Sequence, residues 1–541
     1  MLRAVWQWLD RNFLELAREM RLSYLPPLMV YMAAGISGLT AIVGTFFVKE
    51  HLGLSASFLA ALGFWAGIPW ALKMPIGHVV DLVWRWKSAL VFLGAGLIGA
   101  SLGIMVMLID HREAMAAIMP VEMWFILSEL LAPIGFVVQD AVADAMTVEA
   151  VPRTHDDGRP IDPARLKLMH TTMQTLGRVA IIGGTVLVAL INLYVFAGTE
   201  SLSVGERALI YADVYRMALV IPVISVLGVV ISELLKLRER RRLLAQGLSP
   251  DEAERRLSVQ DEPPSPNWWI LGGSLVFVIF TVTIGAANLP YSQEIIFAGS
   301  FAIVSFLVAR ITRALDPVAR ETLIGTAIVI FVFRAVPGTG PGVNWWTIDV
   351  LGFDPGFFSV LGLTASALTL AGMFVFRRFM ADHSITYVVG ALTLAGVVLS
   401  VPYVGMYYGL HQWTASVTGG LVDARFIAFV NTALESPLGQ IAMIPMLVWI
   451  ARSAPANLKA TYFAVMASFT NLALSASQLG TRYLNEIYLI EREIRDPVTG
   501  AVKVAADYSQ LGELLIAQTL LALILPFAAI LLVRLARLRT A

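Results

Sequence analysis

The sequence predicts an all-α integral membrane protein of about fourteen transmembrane helices, set out as two six-helix halves with an extra helix pair between them. Three features of the 541-residue chain point there. Hydrophobic residues make up 57% and charged residues 14%, with a mean hydropathy of +0.74, whereas soluble domains carry about a quarter charged residues. The excess is gathered into uncharged runs such as LVFLGAGLIGASLGIMVMLI and WWILGGSLVFVIFTVTIGAA, each of about 20 residues, the length with which a helix crosses a bilayer. Lysine and arginine alternate between the segments that join these runs, as an even span count requires.

In chain order, residues 1–23 contain MLRAVWQWLDRNFLELAREMR, with Asp10, Glu15 and Glu19 interrupting any apolar core. They read as an amphipathic helix on the membrane surface and not as a cleaved signal. Apolar segments near 24–48, 57–76, 88–109, 120–148, 170–197 and 212–235 form the first half, 24–235. Residues 236–267 are charged and Pro-terminated, a short surface helix and cytoplasmic linker. The extra pair, 268–288 and 293–312, occupies 268–312. Segments 322–337, 356–380, 385–409, 421–451, 459–483 and 510–535 make the second half, 313–541. With the N-terminus inside, the inner segments collect Lys73, Arg85, Lys87, Arg153, Arg159, Arg165, Lys167, the LKLRERRR cluster and the arginines of both chain ends. The outer segments keep Lys49, Arg112, Arg207, Arg334, Arg482, Arg492, Arg495 and Lys503. The expected location is the inner (plasma) membrane, multi-pass, with both termini cytoplasmic.

The composition also excludes classes. Without cysteine there is no disulfide, thiolate chemistry or Cys-ligated metal. Zero net charge gives no reason to expect a nucleic-acid partner. The histidines, His51, His78, His111, His155, His170, His383 and His411, are scattered over loops with no partner at ligand spacing. There is no glycine-rich phosphate loop. An enzyme, a metal site and a cofactor are therefore not expected.

The fourth segment runs into FVVQDAVADAMTVE and carries acids where the chain should be hiding from water. Ionisable groups inside a bilayer cost several kcal/mol and mark pathways. At about 100° per residue, Glu122, Glu129, Asp140 and Asp144 fall at roughly 0°, −20°, 0° and +40°, one stripe that must face the bundle interior. Glu149 points elsewhere, toward the inner surface, and Pro133-x-Gly135 reads as a kink. Such a stripe suits proton coupling between neighbouring carboxylates. It equally suits recognition of a guanidine-like edge, such as an aminopyrimidinone ring, by two parallel N–H bonds. The structural alternative ties the acids to Arg178, Arg216 or Arg425, the basic residues this span map leaves in the membrane. Arg178 and Arg334 are candidates for a substrate carboxylate, although Arg334 also fits an interfacial snorkel. Trp65, Trp70 and Phe333 are candidates to stack on a flat ring.

Between the second and third segments, Gly77, Asp81, Arg85 and Lys87 form G-x-x-x-D-x-x-x-R-x-K. This pattern, together with duplicated six-span halves, resembles the major facilitator superfamily, in which such a loop latches the outward-facing state and the halves rock about a central site. Residues 435–484 are more specific. Gly439, Gln440, Pro445, Leu447, Ala451 and Arg452, followed by Thr461, Phe463, Ala464, Ser468 and Asn471, resemble paired signatures of the folate–biopterin transporter family. PWALK with Gly77 and Asp81, DAVADAMTVE, and Leu351-Gly352-Phe353 with Leu361-Gly362-Leu363 are similar to further family islands in the same order. The resemblance implies a proton-coupled secondary transporter of a pterin- or folate-like solute, acting as a monomer by alternating access. It places substrate and proton handling on Asp140, Asp144, Arg178, Glu435 and Asn471, beside Glu129 from the stripe. The chain departs from the family at Lys73-Met74, at Arg334, in the longer 4–5 loop and in its fourteen segments instead of twelve. The central pair and Gln139-Asp140 are similar to muropeptide permeases of the same superfamily, which keeps a peptidoglycan fragment as an alternative substrate. A pigment-assembly membrane protein of the same fold is a further alternative.

Overall fold

A computed structural model describes residues 20–52, 54–71, 73–83, 86–152, 159, 161–199, 204–257, 266, 268–287, 289–313, 316–376, 383–438, 459–495 and 502–540. The expected N-terminal surface helix lies almost wholly outside them, as do Arg85 and the Gly439–Arg452 signature. Helices follow in the order α1 (Leu25–Ile36), α2 (Ala41–His51), α3 (Ala56–Ala71), α4 (Lys73–Leu82), α5 (Lys87–Asp110), α6 (Arg112–Ile118), α7 (Val121–Ala150), α8 (Pro163–Val195), α9 (Val204–Ala218), α10 (Val220–Ala245) and α11 (Pro250–Leu257). They continue with α12 (Trp268–Ala286), α13 (Ser292–Thr312), α14 (Pro317–Arg334), α15 (Gly342–Asp349), α16 (Pro355–Val375), α17 (Ile385–Tyr407), α18 (Leu410–Val417), α19 (Ala424–Glu435), α20 (Lys459–Ile487) and α21 (Leu511–Leu535). A two-stranded antiparallel hairpin, β1 (Ile494–Arg495) and β2 (Val502–Val504), lies between α20 and α21.

Among the described residues nine helices are long and apolar enough to cross a membrane, and Ala56–Ala71 and Leu271–Gly285 are shorter apolar helices. Helices suit this solvent because each backbone group finds its partner within the segment. Two expected boundaries move. Residues 236–245 continue α10 instead of starting a separate linker helix, because charged helix formers end a membrane span without ending a helix. Gly77 and Asp81 lie on helix α4 instead of in a loop. Pro75 does not prevent this, since it stands in the first turn, where the missing N–H is an orphan anyway.

The helices up to α10 pack mainly on one another, with α5 along α7 and α1 held between α8 and α10. From α14 on, α14 packs on α20 and α21, and α17 on α21. The two groups meet where α3 lies along α20 and α8 along α16. Close approach is bought with glycine: a Cβ on Gly135 of α7 would stand 2.6 Å from the Gly94 carbonyl of α5, and one on Gly94 2.7 Å from the Gly135 carbonyl. Small residues at such crossings let membrane helices gain van der Waals contact, the hydrophobic drive between helices being absent in lipid.

The extra pair packs on itself and, through α13, on α20. Gln293 of α13 donates to the Ala61 carbonyl of α3 at 3.1 Å and accepts from Arg482 of α20 at 3.2 Å. Arg482 also pairs with Glu294 at 3.5 Å and Glu486 at 2.7 Å, and Tyr483 donates to Glu294. The pair is thus stitched by polar contacts to the seam between the two helix groups. On α12 the large apolar side chains Leu275, Val276, Ile279 and Val282 remain exposed, a surface suited to lipid.

Gly135→Ala is expected to lower the stability of the purified protein by about 1–3 kcal/mol, as overpacking does. Gly96→Ala, whose Cβ would meet nothing within 4 Å, is expected to leave it unchanged or raise it. Thermal melts of the two variants in one detergent make the comparison.

Candidate functional site

The stripe on α7 is the starting point. A continuous helix over Val121–Ala150 carries Glu129 and Asp140 eleven residues apart, about 16 Å along the axis and nearly in register around it. The two acids serve separate places.

Asp140 and Asp144, one turn apart, meet a cation that local sequence spacing does not reveal. Lys73, the first residue of α4, places its Nζ 2.5 Å from Asp140 Oδ2 and 2.9 Å from Asp144 Oδ2. The Tyr31 hydroxyl of α1 donates to Asp144 Oδ1 at 2.5 Å. Like charges at i,i+4 repel, and an ammonium between them offsets that repulsion. Arg178 of α8 is exposed, yet close enough to Asp140 and Tyr31 to act on both electrostatically. Four helices therefore converge on the cluster. Of the expected structural partners, Arg216 instead pairs with Asp110 and Asp213, both at 2.5 Å, and Arg425 with Asp354 at 2.6 Å.

Nearer the end of α7, Glu149 bridges Lys87 at 2.8 Å and Lys236 of α10 at 3.1 Å. Lys87 is only 4% exposed, so this member of the expected gating motif is locked in a charge network at the start of α5. Among the described residues a Cβ on Gly77 would meet nothing within 4 Å. Asp81 stands near the end of α4.

Glu129 opens onto a cavity of about 450 Å³. Its walls include Ser37, Thr40 and Thr45 of the first span, Trp70 of α3, Phe125, Pro133 and Phe136 of α7, Tyr215 of α9, and Asn344 and Trp345 of α15. The first span is tightened into a 3-10 turn at Ser37–Thr40 beside this cavity, an irregularity that often marks function in long helices. Among the described residues no cation lies within ion-pair distance of Glu129. Asn471 of α20 donates to the Trp70 carbonyl at 3.1 Å, tying the cavity wall to the second helix group. Glu435 ends α19, exposed, with Tyr403 in its field. Arg334 ends α14 half-buried, its Nε without a hydrogen bond. Neither joins the Lys73 cluster or the cavity wall.

At the Lys49 end of the first span, the two helix groups are joined by charge. Lys49 of α2 pairs with Asp349 of α15 at 2.5 Å, and the Tyr508 hydroxyl donates to the same carboxylate at 2.5 Å. Arg492, 3% exposed, donates to the Val48 carbonyl and stands over the Trp345 ring at 5.4 Å. Burial pulls the Arg492 guanidinium down to about 10, with Tyr508 and Asp349 opposing that shift, so it remains charged at neutral pH. Burial and the bond to Asp349 push the Tyr508 phenol up, which keeps it a donor.

The model of the BT1 family matches residues 34–540. The chain belongs to the BT1 family. Curated relatives of this BT1 chain include a folate-biopterin transporter of Synechocystis sp., 21% identical over 450 residues, covering 82% of this chain and 71% of that one. Folate transporter 2 of Plasmodium falciparum is 24% identical over 158 residues, covering 29% of this chain and 33% of its own length. Among solved structures, a POT family transporter aligns with a TM-score of 0.58 at 12% identity, covering 95% of this chain and 96% of that chain. A peptide transporter POT aligns at 0.56 and 15%, covering 95% of each, and a nucleoside transporter at 0.52 and 10%, covering 94% and 99%. These likenesses show the major facilitator fold for this BT1 member. It is a multi-pass membrane transporter and not an enzyme.

Sequence reasoning passed over Lys73, Tyr31, Trp345 and Arg492. The available signal for Lys73 was its place in the PWALK island, whose lysine is shared with the family while Met74 is the departure. Lys73→Met leaves two neighbouring carboxylates without their counter-ion; with Asp140 15% and Asp144 48% exposed, the cost falls between the about 0–1 kcal/mol of a solvated pair and the about 3–5 kcal/mol of a buried one. The expected outcome is a marked fall in melting temperature, partly restored by adding Asp144→Asn.

Proposed function

We propose that this BT1 chain is a secondary transporter of folate- or pterin-type solutes, coupled to protons and working by alternating access. The observation that carries the reading is the family match over residues 34–540, joined to a Synechocystis relative described as a folate-biopterin transporter over most of the chain. The geometry supports it. A central cavity of about 450 Å³ falls within the range of small-molecule sites, about 300–1,000 Å³. Beside it the Lys73–Asp140–Asp144 cluster holds two carboxylates against one ammonium, a charge count that a coupling proton can balance.

In this reading the halves are 24–235 and 313–541, with the pair 268–312 outside them, and the N- and C-termini face the cytoplasm from the inner membrane. The protein works as a monomer. Asp140 and Asp144 handle the proton, and Arg178, Glu435 and Asn471 serve the solute path. Gly77, Asp81, Arg85 and Lys87 belong to the cytoplasmic gate. The joined face, with Lys49–Asp349 and Arg492 over Trp345, is the closed outer mouth, and rocking the halves opens it while the opposite side shuts.

The direct test is uptake of labelled folic acid and biopterin into proteoliposomes under an imposed pH gradient. The gradient is expected to drive accumulation by wild type and not by Asp140→Asn. Accumulation that ignores the gradient removes the proton from the reading, and absence of uptake for all pteridines removes the solute class. A second experiment uses the cysteine-free chain. Lys49→Cys with Asp349→Cys, joined by a short bifunctional thiol reagent, is expected to stop uptake, and reductive cleavage of the linker to restore it. Full uptake with the linker in place sinks the gate.

A further inference from the structure

We infer that Glu129 and the cavity it lines form the pocket that holds the heterocyclic end of the solute, with the Glu129 carboxylate reading a pair of parallel N–H donors on a 2-amino-4-oxo ring edge. The inference rests on the folate- and pterin-type reading above and assigns its ring to a place distinct from the Lys73–Asp140–Asp144 cluster.

Four observations carry it. The first is the state of Glu129. An ionisable group inside a membrane bundle faces a partner or a water-accessible cavity. Asp140, Asp144 and Glu149 all have lysines within ion-pair distance. Glu129 has none among the described residues and is exposed to the cavity beside Tyr215. Its carboxylate is thus open to a donor that enters. The second is the wall. Phe125, Phe136, Trp70 and Trp345 give the cavity apolar faces suited to a flat ring, since aromatic pairs gain from offset stacking and edge-to-face contact. The third is the 3-10 turn at Ser37–Thr40. It breaks the regular ladder of the first span at the cavity wall, where Ser37 donates to the Ala34 carbonyl and Thr40 is hydrogen-bonded to Tyr215, two hydroxyl groups and a phenol held in place on the wall that Glu129 shares. The fourth is distance. About 16 Å of helix separates Glu129 from Asp140, so one small ring does not occupy both places. The cluster keeps its own cation whether or not the cavity is filled.

A carboxylate distinguishes pteridines by their edge. The 2-amino-4-oxo edge offers N–H at N3 and at the exocyclic amine, which a carboxylate accepts side by side. A 2,4-dioxo pteridine replaces the amine by a carbonyl, loses one donor and points an oxygen at the acid. Each charge-assisted bond is worth about 1.5–3 kcal/mol, so wild type is expected to prefer the amino ring by about 10- to 100-fold in Kd.

The experiment titrates purified full-length protein with biopterin and with lumazine, a 2,4-dioxo pteridine, and reads Kd from ligand-induced thermal stabilisation. Wild type is expected to show the preference, and Glu129→Gln, with an amide whose N–H₂ meets the ring amine, to lose it. Asp140→Asn, although impaired in coupling, is expected to retain the preference. As a measurement independent of any variant's folding, wild type is treated with a hydrophobic carbodiimide, and modification of Glu129 is followed by mass spectrometry. Biopterin is expected to protect Glu129, and lumazine at equal concentration not to. If wild type binds biopterin while Glu129→Gln keeps the full preference, or biopterin leaves Glu129 unprotected, the assignment of Glu129 is overturned and the transported class stands. If wild type binds no pteridine or folate, both fall together.

Discussion

One lysine holds the inner part of this bundle together. Lys73 lies 2.5 Å from Asp140 and 2.9 Å from Asp144, and Tyr31 donates to the second carboxylate. In a medium that penalises each uncompensated charge by several kcal/mol, these contacts fix α1, α4 and α7 relative to one another more firmly than apolar packing in lipid does. They also set a charge balance. Two carboxylates face one ammonium, with Arg178 acting from farther off, so the cluster responds to any change of one proton or one neighbouring cation. That sensitivity is costly for a purely structural tie and useful for a coupled one.

The cluster and the cavity share the same rigid elements. α7 carries Asp140 and Glu129 on one face, and α3 delivers Trp70 to the cavity wall just before α4 begins with Lys73. Asn471 holds the Trp70 carbonyl from α20, so the segment between cavity and cluster is bonded to the other helix group. A movement of α20 against α3 thereby reaches both places without any further linkage. The extra pair adds to this seam from outside, because Gln293 touches α3 and α20 together.

What the sequence made legible follows from the reach of its signals. Periodicity near 3.6 put Glu129, Asp140 and Asp144 on a shared face of one helix, and α7 is continuous across all three. Uncharged runs located the spans, because hydropathy is a property of contiguous residues. Pairings between distant segments were beyond that reach: Lys73 looked like a topology lysine at a span end, and Tyr31 like core. Gly77 and Asp81 were expected in the loop after segment 57–76, yet α4 forms through them, and Pro75 stands in its first turn, where proline costs nothing. Pro133-x-Gly135 suggested a kink, whereas Gly135 is accounted for by its contact with the Gly94 backbone. The joined far face was illegible for the same reason as Lys73. Its members, Lys49, Asp349, Arg492 and Tyr508, come from three stretches of chain and become neighbours only through the fold.

That far face also shows how a seal can be firm and still reversible. Both of its cations approach the C-terminal turn of α2, Lys49 from within it and Arg492 through the Val48 carbonyl, where the helix dipole favours positive charge. Lys49–Asp349, with its side chains only 11% and 23% exposed, gains Coulomb attraction and loses hydration together, so the pair fixes registry more than it adds net strength. Trp345 is 1% exposed beneath Arg492 and forms part of the cavity wall. The same ring lies in both the joined face and the cavity wall, so in the proposed cycle a movement of α15 that undoes the Lys49–Asp349 pair also moves one wall of the cavity.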